Sequence, residues 1–167
     1  MPAGLRIETL RRDHKVEGFD CGVPQLDRFL AFYALQAQQS GASRTYVALS
    51  DEIIVGYYTL VVGEVAHMHA PERLKKGLAR HPIPLIVLAR LAVVRDWQGR
   101  DIGIGLARDA MDRTLLVADL AGVRALAVQA KDDAAASFYA HIGFMQSPLD
   151  PRQLFLLVKD IVRMRRA

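Results

Sequence analysis

The sequence predicts an α/β or α+β sandwich built on a mixed sheet, and three observations predict it. Apolar segments of strand and helix period alternate in the order strand, helix, strand, strand, long loop, strand, helix, strand, helix, strand. The most apolar of them, Ile83 to Val94, runs into the glycine-bearing stretch Gln98-Gly99-Arg100-Asp101-Ile102-Gly103-Ile104-Gly105. Ile104, Ala107, Met111, Leu115 and Ala118 then recur at helical spacing. A strand, a glycine turn and a helix in that order make a phosphate cradle. The helix start offers unpaired N–H groups and a positive dipole end, and glycine lets the backbone approach an anion.

The remaining elements follow in order. Residues 5–10 read as a first strand, and Phe19-Asp20-Cys21-Gly22-Val23-Pro24 turns the chain into a helix with Pro24 at its first position. Leu26, Phe29, Leu30, Tyr33 and Ala37 mark that helix's apolar stripe, and Ser40-Gly41 stops it. Thr45 to Leu49 and Ile53 to Val62 form a hairpin, with Gly56 marking a bulge. Residues 64–82 are expected to be a long loop with one short helix. Its His67 and His69 lack further ligands nearby, so they read as solvated histidines rather than a metal site. Val123 to Val128 is the next strand, Asp132 or Asp133 caps a helix to His141, and Gly143 ends it. Residues 153–158 are the last strand, followed by a basic tail.

Composition narrows the class. A chain of 167 residues is expected to fold as a single domain, 1–167. Its 51% apolar and 24% charged residues are those of a globular protein. Pro84 and Arg90 interrupt the longest apolar run, and the N-terminus lacks a signal-peptide core, so no membrane is expected. One cysteine excludes an intramolecular disulfide and fits a reducing cytoplasm. Lys and Arg exceed Asp and Glu by 22 to 18, which permits a polyanionic partner without demanding one.

These elements resemble the GNAT acetyltransferase fold, a mixed and mostly antiparallel sheet flanked by helices. The glycine turn is similar to that family's pyrophosphate loop, Gln/Arg-x-x-Gly-x-Gly/Ala, and Asp132 to Phe144 to its second motif. A narrower resemblance covers nearly the whole chain: the GNAT toxins of bacterial toxin–antitoxin pairs. Phe19-Asp20-Cys21-Gly22, Leu26 to Leu30, Arg44 to Val47, Gly56 to Leu60, Leu88 to Val93, Phe138-Tyr139 and Ser147 to Pro151 carry it in order. One residue departs: Asp101 stands where that turn usually has a glycine, and its side chain either points to solvent or weakens cofactor binding.

The resemblance implies acetyl-CoA as co-substrate and no metal. It puts the pantetheine arm on backbone groups of Leu91, Ala92 and Val93 and the pyrophosphate on N–H groups of residues 99–105, with Gln98 also among the cofactor-binding residues. Arg100 supplies charge to a phosphate. Tyr139 is implied as the general acid for the leaving thiolate. Adjacent helical residues point about 100° apart, so with Phe138 in the core Tyr139 faces the cleft. No Glu or Asp stands out as a base, which suits an α-amine acceptor that is partly neutral near pH 7. The resemblance then implies acetylation of aminoacyl-tRNA, a ribbon-helix-helix antitoxin and a homodimer. Lys75, Lys76, Arg80, Lys159 and Arg163 are candidates for tRNA phosphates. The residues also allow transfer to a small amine or protein N-terminus, or a non-catalytic co-repressor.

Overall fold

The strands are β1 (Leu5–Thr9), β2 (Arg44–Ser50), β3 (Ile53–Val65), β4 (Ile83–Val93), β5 (Ala125–Gln129), β6 (Met145–Gln146) and β7 (Gln153–Leu157). In the computed structural model, which describes residues 2–166, they form one mixed, mainly antiparallel sheet in the order β1-β2-β3-β4-β5-β7-β6. The helices are α1 (Pro24–Arg28), α2 (Ala34–Gln39), α3 (Glu72–Lys75), α4 (Ile102–Leu120), α5 (Asp133–His141) and α6 (Val158–Arg166). The α/β sandwich expected from the sequence is the fold observed. The chain divides into two compact units. One holds the residues up to Val61 with Ala89–Ala110, the other Val62–Leu88 with the residues from Met111 onward.

In the first unit β1 and β3 flank β2, both antiparallel to it. The register jumps from Ala48↔Gly56 to Leu49↔Ile54, so Val55 is the extra residue of a bulge beside Gly56. The glycine is required by packing: a Cβ there would meet Leu106 Cδ1 at 3.0 Å and the Ala92 carbonyl at 3.1 Å. The helix after Pro24 departs from expectation. Between α1 and α2 lies a π-helical turn, Phe29–Tyr33, closed by an Ala34 N–H to Phe29 carbonyl bond. That turn adds one residue and rotates everything after it. Phe29 and Leu30 stay buried, but Ala34 takes the core position expected of Tyr33, which is 59% exposed. Gln38 follows in register, donating to the Leu10 carbonyl at 2.8 Å and accepting from Thr45 N–H at 3.0 Å. The core beneath joins Leu30, Ala34, Val47, Leu49, Ile54 and Tyr57. The Tyr57 hydroxyl donates to Leu26 O at 2.7 Å, which satisfies the phenol and anchors α1.

In the second unit β5 runs parallel to β4 at Ile86–Leu88 and antiparallel to β7, whose far side carries β6. Its core joins Val65, Leu74, Ile83, Leu85, Ala125, Phe155 and Leu157. Asp132 is the N-cap of α5, its carboxylate accepting from Ala135 N–H at 2.8 Å, and Gly143 at φ +117° ends the helix. The long loop is shorter than expected: β3 continues to Val65, and a 3-10 turn at His67–His69 precedes α3. The tail is not a tail. α6 starts at the residue after β7 and packs on that strand. Arg73 reaches it through two 2.9 Å bonds to Asp160, a bidentate pair that holds the Asp160 carboxyl below the usual range.

Charge divides unevenly between the units. The first holds ten Lys and Arg against ten Asp and Glu, the second twelve against eight. The whole net charge of +4 therefore belongs to the second. No helix among the described residues is long and apolar enough to cross a membrane.

Candidate active site

At the end of β4, the N–H of Val94 donates to Val55 O at 2.9 Å. Backbone groups alternate sides along a strand, so Leu91 and Val93 turn theirs to the opposite edge, while the Ala92 side chain is buried. β4 pairs with β5 at Ile86, Val87 and Leu88, and Leu91 and Val93 lie beyond those positions. This is the arrangement that would receive an amide-bearing chain as an added strand. One group on that edge is already engaged: the Val93 carbonyl accepts from Gln98 Nε2 at 2.9 Å.

The turn that follows is a 3-10 turn at Arg95–Trp97, then Gln98-Gly99-Arg100-Asp101, then α4 from Ile102. Gly99 stands at φ +80° and Asp101 at φ +63°. Asp101 thus adopts the left-handed conformation that glycine favours and that Asp tolerates, and its side chain is exposed. Gly103 and Gly105 lie inside the helix rather than in the turn. The Gly105 N–H already donates to Asp101 O at 3.1 Å, so the free N–H groups of the helix start are those of Ile102, Gly103 and Ile104. These and the N–H groups of the turn fit a pyrophosphate. Arg100 is exposed, its guanidinium 4.8 Å over the Trp97 ring, which orients it without neutralising it.

Tyr139 lies on α5, edge-on to Phe138 and Phe144 at ring-centroid distances of 5.1 and 5.4 Å. The expected roles of the pair are exchanged. Tyr139 is 6% exposed and Phe138 is the half-buried one. Burial pushes the phenol's pKa above its ordinary value, so the hydroxyl stays protonated. Among the described residues that hydroxyl has no hydrogen-bond partner, whereas those of Tyr57 and Tyr58 donate to Leu26 O and Asp109. A buried phenol usually finds a partner within the protein. This one has none among the described residues and is open to solvent or a ligand.

The candidate cations for tRNA phosphates all lie in the second unit. His67, Lys75, Lys76 and Arg80 line one open groove beside α3. Lys75 pairs with Glu72 at 3.1 Å, and Arg163 lies 3.8 Å from Asp160. Lys159 and Arg124 line a second groove with Leu74 and Leu157. Among the described residues no three His, Cys, Asp or Glu side chains gather as a metal site.

Two hydrogen bonds escaped the sequence reading. Neither the Gln98 carboxamide at the end of β4 nor the anchoring of the Ser147 hydroxyl on His69 O at 2.6 Å has a local signal, because each joins residues far apart or around a turn.

With this geometry in view, known proteins resolve the class. The acetyltransferase (GNAT) domain family matches residues 41–146. The chain is 45% identical over 145 residues, 87% of each chain, to a tRNA-acetylating toxin of Mycobacterium tuberculosis. It resembles AtaT complexed with acetyl-methionyl-tRNAfMet at TM-score 0.90 and 27% identity, over 96% of this chain and 99% of that one. A Tyr→Phe mutant of the AtaT toxin, bound to the C-terminus of the antitoxin AtaR and acetyl-CoA, matches at TM-score 0.83 and 27% identity. That match covers 98% of this chain and 99% of the other. The protein belongs to the GNAT acetyltransferase family.

Proposed function

We propose that the protein is a toxin that transfers acetyl from acetyl-CoA to the α-amine of an amino acid esterified to tRNA. Blocking that amine removes the nucleophile of peptide-bond formation and halts translation. The observation that carries the reading is the Tyr139 side chain, buried yet with no protein hydrogen-bond partner for its hydroxyl among the described residues, in a GNAT chain whose excess positive charge lies wholly in the second unit. The similarity to a tRNA-acetylating toxin supports the same acceptor.

Acetyl-CoA, when bound, supplies the acyl group as a thioester. The N–H groups of residues 99–104 hold its pyrophosphate, Arg100 adds a charge beside them, and Leu91 and the Val93 N–H hold its amide-bearing arm. The amine nitrogen forms the new C–N bond as the C–S bond breaks, and the sulfur leaves with the electron pair. Tyr139 donates its proton to that sulfur, and the amine's surplus proton passes to water. No carboxylate base is needed. An α-amine with a pKa of about 7.7 is neutral in roughly one molecule in six at pH 7. Lys76, Arg80, Lys159 and Arg163, with Lys75 beside Glu72, take tRNA phosphates.

A small-amine acceptor would have no use for those cations. Mass spectrometry of charged tRNA after incubation with the protein and acetyl-CoA tests the reading, and unmodified tRNA alongside an acetylated small amine would overturn it. The same reading gives the protein a cytoplasmic setting, a ribbon-helix-helix antitoxin and a homodimer. Co-expression with the neighbouring gene product and light scattering test the last two.

A further inference from the structure

We infer that Gln98 is a positioning residue. Its carboxamide ties the Phe19-Asp20-Cys21-Gly22 loop to the end of β4, and through that tie it sets the shape of the turn that receives acetyl-CoA. The inference rests on the reading of that turn as the acetyl-CoA site.

Gln98 Nε2 donates to two carbonyls, Val93 O at 2.9 Å and Cys21 O at 3.1 Å. One NH₂ group has two hydrogens, so a single side chain closes the turn onto its own strand and onto a loop 77 residues away in sequence. The loop is held from the other side by Arg95. Its backbone N–H donates to Asp20 O, and its Nε donates to Asp20 Oδ1, both at 3.0 Å. Within the loop, Asp20 Oδ1 accepts from Gly22 N–H at 3.1 Å, and Asp27 Oδ1 accepts from Cys21 N–H at 2.9 Å. Gly22 stands at φ +93°, and a Cβ on it would lie 3.5 Å from Arg95 Nε. Both partners of Gln98 are carbonyl acceptors, so the position needs a donor. Methionine has the size of glutamine and no hydrogen to give. Arginine carries several N–H donors in a fork and can replace the lost donor.

The single cysteine supplies a readout that needs no turnover. Cys21 lies in the tied loop and is 8% exposed. In the full-length protein, Gln98→Met should raise the rate of Cys21 modification by a disulfide reagent about tenfold, since opening the loop is opposed by those bonds. Acetyl-CoA affinity by calorimetry should fall about tenfold in the same variant, with the thermal midpoint little changed. Gln98→Arg should restore slow labelling and affinity. Arg95→Gln, which loosens the loop from its other side, should speed labelling as Gln98→Met does, and Gln98→Glu, of the same length but with no hydrogen to give as a carboxylate, takes the place of Gln98→Met if that variant fails to fold. Wild-type labelling in these variants, or fast labelling with unchanged acetyl-CoA affinity, would overturn the inference. A wild type that binds no acetyl-CoA would remove the reading of the turn instead, and Cys21 labelling would still decide the tie.

Discussion

The carbonyl of Asp101 accepts a hydrogen bond from Gly105 N–H at 3.1 Å, while Asp101 itself stands at φ +63°. The residue is thus the left-handed cap through which α4 starts, and its carboxylate stands exposed beside the turn proposed to hold the pyrophosphate. Asp101→Asn keeps the tolerance of that backbone and removes the charge. It should tighten acetyl-CoA binding by about two- to fivefold at low salt, with the gain fading as salt rises. Asp101→Gly should match it. Asp101→Ala should instead destabilise the fold by roughly 1 kcal/mol, since alanine resists positive φ. Calorimetry and thermal unfolding separate the two effects, and equal affinities in all three would place the carboxylate out of reach of the phosphate.

Tyr139→Phe removes a hydroxyl that bonds to nothing in the described protein. The melting temperature should therefore stay within about 2 °C of wild type, and acetyl-CoA should bind as before. Turnover on charged tRNA should drop by at least about a hundredfold, the low end of what a positioned acid contributes, and growth arrest on expression should disappear. Near-normal turnover would make Tyr139 a packing residue.

The pH dependence follows from the same burial. An acid works protonated, and burial raises this one's pKa, so its loss lies above the ordinary phenol value. From about pH 6 to about pH 9, single-turnover rates should rise as the α-amine deprotonates and then level off. A falling limb inside that range, abolished in Tyr139→Phe, would show the phenol titrating there and contradict the raised pKa.

Lys76→Glu combined with Arg80→Glu should raise KM for charged tRNA and leave acetyl-CoA affinity unchanged. For each tRNA phosphate that is no longer neutralised, the slope of log affinity against log salt should flatten by about 0.7 to 0.9. Filter binding over a salt series measures it, and an unchanged slope would exclude the groove beside α3 from the tRNA path.

Asp160 tests the second unit's fold. Its folded pKa is depressed by Arg73, so the pair's contribution is present above the unfolded pKa and is lost as pH falls through the folded one. Asp160→Asn should cost about 0.5–1 kcal/mol at neutral pH, the partly exposed Arg73 limiting the effect. The difference from wild type should shrink as pH falls below the usual carboxylate range. A gap that persisted there would point to packing of α6 rather than the ion pair.

What the sequence disclosed was whatever has a local chemical cause. Asp132 announces a helix start, Gly143 a helix end and Gly56 a bulge, and each stands where it was expected. The misplaced residues depend on geometry that accumulates along the chain. A π-helical turn leaves no trace in composition, yet it moves the core position from Tyr33 to Ala34. α6 escaped notice because Leu154 to Val158 is continuously apolar across the boundary, with no cap or glycine where strand becomes helix. The order of burial in the Phe138-Tyr139 pair goes with a contact that helical spacing does not reveal, Phe144 packing on the tyrosine from beyond the helix end.

The uneven division of charge gives the two substrates different environments. In the proposed reading the first unit, with no net charge, takes the acetyl-CoA pyrophosphate and the +4 second unit takes tRNA phosphates, so salt should weaken tRNA capture more steeply than acetyl-CoA binding. Osmotic stress, which changes the ionic content of a cell, would then act chiefly on acceptor capture. Surface substitutions in the second unit could retune which tRNAs are taken while the acyl-donor half stays untouched.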